Sequence, residues 1–140
     1  MNTTGSSLVF LLRAAAVFQI AMVALKLCLV QFVRLTPGVM TGWPTDVREL
    51  FVVHVLCVSL VVLTLSVLTL RFAREIANQT HGLCRWLAGA AAIFWLFRGW
   101  LQLVYGLDSQ WPVNQLHLFS VVVNGSLASV YGLAACRQSE

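Results

Sequence analysis

No carboxylate falls inside any of the long apolar runs of this sequence. The acidic residues are Asp46, Glu49, Glu75, Asp108 and Glu140, all between or beyond those runs. Proton-coupled cation exchange by a small membrane protein generally wants an acidic group within the bilayer, so that class has nothing to work with here. Any general acid or base would have to be a histidine. There is also no H-E-x-x-H pair, Ser-His-Asp order or phosphate-binding glycine loop, so no catalytic residue is assigned and the chain reads as a non-enzyme. Cysteine is sparse and unpaired in sequence. Cys28, Cys57, Cys84 and Cys136 form neither a C-x-x-C nor a Cys/His metal spacing, which removes a zinc site and a quinone-linked disulfide relay; buried free thiols are the expectation. The three prolines, Pro37, Pro44 and Pro112, fall in connecting segments, so none kinks a span.

What is present is hydrocarbon. Hydrophobic residues make up 59%, charged residues 10%, and the mean hydropathy is +0.84, against about 45–50% apolar and about 25% charged in soluble domains. The composition predicts an all-α integral membrane protein. There is room in one domain, residues 1–140, for four transmembrane helices of about 20 residues in an up-and-down bundle. The opening stretch MNTTGSSLVFLLRAAAVFQIAMVALKLC has no basic leader segment and is interrupted by Arg13, so it reads as the first span and not as a cleaved signal. The sequons at Asn2, Asn78 and Asn124 read as chance, the last lying within a span.

Spans are expected at 8–33, 50–72, 83–106 and 113–135. Asp46 and Glu49 have the spacing of a capping box before span two, Thr80 suits a cap for span three, and Pro112 suits the first turn of span four. Arg13, Arg71, Arg74, Arg85 and Arg137 gather at one set of span ends. The other ends hold Arg34 and Arg48 beside Asp46, Glu49 and Asp108. Basic residues of short loops stay on the cytoplasmic side, so both the N-terminus and the C-terminus are expected there. Trp43 and Trp111 then mark the outer interface and Trp86 the inner one. Orientation accounts for the net charge of +4, and no nucleic acid is implied.

Helical spacing gives each span an inward seam. Span three offers Cys84, Ala88, Ala91, Trp95, Arg98, Gln102 and Tyr105; span four offers His117, Ser120, Asn124, Ala128 and Tyr131. Span one offers Ala15, Gln19, Met22 and Lys26, and span two offers His54, Cys57, Val61 and Thr64. Glycines at 89, 99, 106, 125 and 132 favour close approach of spans three and four. At about 1.5 Å per residue from the outer ends, Lys26 and Arg98 lie roughly 10 Å deep, His54 roughly 6 Å, and Gln102 and His117 roughly 5 Å. Polar side chains from four helices thus share the outer half, with Glu49 at the mouth. An arginine at that depth needs polar company, because lipid provides none. Lys26 has the simpler option of extending toward the headgroups.

This layer suggests a pocket that binds a small ligand or docks a membrane-protein partner in the lipid bilayer. Arg98 would supply fixed charge, Gln102 and Tyr105 hydrogen bonds, and His54 and His117 switchable donors. Two alternatives use the same residues. His54 and His117 permit axial ligation of haem b, or the layer receives a quinone carbonyl. A structural accessory subunit would use it only to fix helix register. The string Phe94-Trp95-x-x-Arg98-x-x-x-Gln102-x-x-Tyr105, followed by Asp108 and by His117 opening the last span, resembles an uncharacterised group of small four-span bacterial membrane proteins. The resemblance implies a bacterial inner membrane and a role for Glu49, His54, Arg98, Gln102 and His117, with no activity attached.

Overall fold

The structure, a computed structural model, describes residues 3–35, 42, 44–78, 82–106 and 113–136; the side chains of 3–5, 33–35, 105–106, 113–114 and 116–117 lie outside the described set. Four α-helices account for almost all of it: α1 Thr3–Leu35, α2 Thr45–Asn78, α3 Gly82–Gly106 and α4 Val113–Cys136. Each is long and apolar enough to cross a membrane, which makes this an integral membrane protein. The expected spans 83–106 and 113–135 match α3 and α4 to within a residue, while α1 starts five residues before the expected 8–33. Expectations that rest on Pro37, Trp43, Thr80, Asp108, Trp111 and Pro112 fall on residues outside the described set.

Helix α2 is longer than its apolar run predicts. It has 34 residues, or about 50 Å of helix against about 30 Å of hydrocarbon. An apolar run marks only the part that needs lipid; the backbone goes on pairing into polar sequence on either side. At the start, the Arg48 N–H donates to the Pro44 carbonyl at 3.1 Å, closing the first turn. Asp46 therefore lies inside that turn and not at the cap, a correction to the capping-box expectation, and its carboxylate opposes the positive end of the helix dipole. Near the other end the backbone leaves helical geometry at Phe72 (φ −107°, ψ 18°), the residue where the apolar run gives way to Ala-Arg-Glu-Ile-Ala-Asn.

The same residue marks a division of the chain into two compact units, Met1–Ala15 with Phe72–Glu140, and Ala16–Arg71. In the second unit, α1 buries Ala16, Gln19, Val23 and Val30, and α2 buries Ser59, Val62, Ser66 and Thr69. Gln19 was expected inside; Lys26 is half-buried and continues the same alternation of three and four between Val23 and Val30. The α2 seam is corrected. His54, Cys57, Val61 and Thr64 are all exposed, because in so uniformly apolar a helix the scattered polar residues do not identify the packed face. The Thr64 hydroxyl donates to the Leu60 carbonyl at 2.9 Å, which satisfies it without a neighbour. The packed face is marked by small hydroxyls. Ser66 Oγ lies 2.9 Å from Gln19 Oε1 and 2.7 Å from the Val62 carbonyl, so one proton joins α1 to α2 while retaining an acceptor in its own helix.

The first unit packs alanines around a few large side chains, Leu12, Ile76, Trp95 and Tyr131 among them. Leu8, Leu12, Ala73, Ile76 and Ala77 are buried beside the seams of α3 (Cys84, Ala88, Ala91, Ala92, Trp95) and α4 (Asn124, Leu127, Ala128, Tyr131, Ala134). Those two seams match the expected ones at Cys84, Ala88, Ala91, Trp95, Asn124, Ala128 and Tyr131, with Arg98, Gln102 and Ser120 half-buried and the side chains of Tyr105 and His117 outside the described set. All four cysteines are free, and only Cys84 is buried; Cys28, Cys57 and Cys136 are exposed, contrary to the expectation of buried thiols.

Candidate functional site

Helices α3 and α4 pack along each other and are joined by only the six residues 107–112, a connection that requires an antiparallel pair. One contact sets their register. A Cβ on Gly99 would stand 3.4 Å from the Asn124 Cβ, whereas one on Gly89, Gly125 or Gly132 would meet nothing within 4 Å. Of the glycines expected to admit close approach, only Gly99 among the described positions does so. From that contact the antiparallel geometry sets the levels: Gln102 stands opposite Ser120 and Val121, and Trp95 opposite Ala128.

Arg98 is the neighbour of this contact point. It is half-buried, about 12 Å along the axis from the C-terminal end of α3, and makes no hydrogen bond or ion pair with any described residue. Neither α3 nor α4 contains an Asp or Glu, so its own hairpin holds no counter-charge. One turn toward the helix start, Trp95 is 5% exposed, and its indole Nε1 is buried without a hydrogen-bond partner. An edge-to-face contact with Phe94, at 5.1 Å and 79°, fixes that ring. One turn the other way, Gln102 is half-buried and engaged in an interaction of its own. Across the pair, the buried Asn124 Nδ2 donates to Ser120 Oγ over a long 3.5 Å. The remaining expected residues of the hairpin, Tyr105 and His117, are helical, but their side chains lie outside the described set.

The other expected site residues belong to the second unit. Lys26 is half-buried and already engaged. Glu49 and His54 are exposed on the opening turns of α2. Among the described residues no cluster of three or more His, Cys, Asp or Glu side chains is placed to hold a metal ion. The sequence reading passed over the Trp95 indole N–H and the Asn124 amide as members of the site. The signal for Trp95 was available: it stands at i−3 from Arg98, and an indole N–H in a lipid-embedded helix has no water to bond.

Chemically the cluster is one-sided. Guanidinium and indole N–H are donors only, and Arg98 carries a full positive charge, so it lacks an acceptor-rich anion and not a cation or a donor. No family model matches the chain, and neither a curated protein nor a solved structure matches it.

Proposed function

We propose that this protein is a small-molecule binding protein of a bacterial inner membrane, with both termini cytoplasmic and its pocket in the outer half of the α3–α4 hairpin. Arg98 gives the pocket a fixed positive charge, Gln102 and Tyr105 its hydrogen-bonding rim, and His117 a further hydrogen-bonding group. Lys26, Glu49 and His54, in the other unit, are assigned no part in it. One observation carries this reading: a half-buried arginine in a membrane-spanning helix that pairs with no described residue. Charges held within a bilayer ordinarily pair with each other or with backbone carbonyls, and an unpaired one marks a ligand or transport path.

The test is native mass spectrometry of full-length protein taken gently from its membrane, wild type against Arg98→Ala, with helicity checked by circular dichroism. The pocket predicts a bound species on the wild type that the variant loses while remaining helical. Identical adducts and identical co-purifying chains in both would overturn the reading. An absorption spectrum of the same sample separates haem, whose Soret band would be unmistakable, from a colourless ligand.

A further inference from the structure

The identity of the ligand class follows from what surrounds Arg98, and rests on the reading of the hairpin as a pocket. Leu87, Phe94, Arg98 and Leu101 are all half-buried and stand at intervals of seven, four and three, so they form one flank of α3. Arg98 is the single polar member. Next to this flank Phe97 and Trp100 are exposed and stacked, ring centroids 5.9 Å apart at 28°. The flank is therefore a strip of hydrocarbon and aromatic surface with one cation set in it. Two donors with no acceptor, the Arg98 guanidinium and the Trp95 Nε1, lie one turn apart on the same helix.

We propose that the α3 flank binds an anionic amphiphile, an oxyanion head of phosphate or carboxylate carried on a hydrocarbon chain, with the head on Arg98 and the chain along Phe94, Leu87 and Leu101. A guanidinium presents parallel donors that match two oxygens of such a head. The hydrocarbon strip explains why the ligand carries a chain: a free, fully hydrated ion would have to shed its water to reach a cation roughly 12 Å inside the helix end, whereas an amphiphile arrives within the lipid. Trp95, whose indole N–H is shut inside the α3–α4 seam, is assigned no bond to the head.

The experiment is lipid competition read by native mass spectrometry on the full chain in neutral detergent, titrating phosphatidylglycerol against phosphatidylcholine of the same acyl chains. The wild type is expected to retain the anionic lipid at least about tenfold better, the value of one charge-assisted hydrogen bond. Arg98→Gln abolishes the preference, and Arg98→Lys keeps part of it. Arg85→Gln, at the exposed start of α3, leaves it unchanged. Equal retention of the two lipids by the wild type, an undiminished preference in Arg98→Gln, or its loss in Arg85→Gln overturns the proposal. Should Arg98→Gln lose helicity, the partial preference of Arg98→Lys decides.

Two further arms separate the sources of the anion. Oleate is expected to displace phosphatidylglycerol and inorganic phosphate at equal concentration to leave it bound; displacement by phosphate alone would overturn the chain requirement. Asp46→Asn and Glu49→Gln are expected to change nothing, and a gain of anionic lipid in either would show that the charge is met by an internal carboxylate, against the proposal. A neutral adduct that disappears in Arg98→Gln would refute the oxyanion and leave the pocket standing. Absence of any Arg98-dependent adduct would remove both.

Discussion

The contact between Gly99 and Asn124 can be tested by adding atoms to it. Gly99 is buried, and the nearest atom to a Cβ built there is the Asn124 Cβ at 3.4 Å, an ordinary van der Waals distance. Gly99→Ala therefore fits without displacing a neighbour, and the gain in helix preference of about 1 kcal/mol makes it neutral to stabilising. Gly99→Leu is different. Its three further carbons must enter space bounded by Asn124, itself 3% exposed, and overpacking of this kind costs about 1–3 kcal/mol. The helices would separate or slide, and the Asn124 to Ser120 bond, already long at 3.5 Å, would be the first lost. Reversible unfolding in mixed micelles, followed by circular dichroism, gives both values. The reasoning fails if alanine destabilises by more than about 1 kcal/mol, which would mean a tighter approach, or if leucine is harmless, which would mean that this face is not the contact.

Elsewhere the expectations are smaller or opposite in sign. Gln19→Leu should cost only about 0.6–2 kcal/mol, the range of interhelical hydrogen bonds in lipid, because Ser66 keeps the Val62 carbonyl as an acceptor; a double-mutant cycle with Ser66→Ala measures the coupling, and one near zero would deny the link. Ser59 Oγ is buried without a partner, so Ser59→Ala should leave stability unchanged or raise it by about 1 kcal/mol; a clear loss would reveal a bond that the structure lacks. Reporter fusions to each terminus should both report the cytoplasm, and either one reporting the periplasm would invert the charge-based orientation.

Much of this was legible in the sequence where composition and periodicity agree. Helices α3 and α4 follow the boundaries of their apolar runs, and the α3 seam from Cys84 to Gln102 could be read from its alternation of alanine with larger residues. Reading failed where nearly every residue is apolar. In α2, a seam drawn through the conspicuous His54 and Cys57 landed on the exposed face, while the packed face carried Ser59, Ser66 and Thr69, hydroxyls that spacing alone could not rank above Thr64. Helix ends beyond the hydrocarbon were equally hidden, since nothing in an apolar run says how far the backbone continues past it. At the site, Arg98 was legible as a charge in the wrong solvent. That it would find no partner in its hairpin required the coordinates, although the lack of any carboxylate in α3 and α4 had already made it plausible on chemical grounds.

The most direct test of an unpaired, interior Arg98 is the stability change on Arg98→Met in detergent free of anionic lipid. Methionine keeps an apolar stem close to that of arginine and removes the guanidinium with its charge. An arginine held for a ligand at the expense of the apo protein predicts that the variant is more stable than wild type, by about 1 kcal/mol or more. If Arg98 is instead a paired structural group, the substitution breaks its network, and a loss of about 3–5 kcal/mol would contradict the central claim.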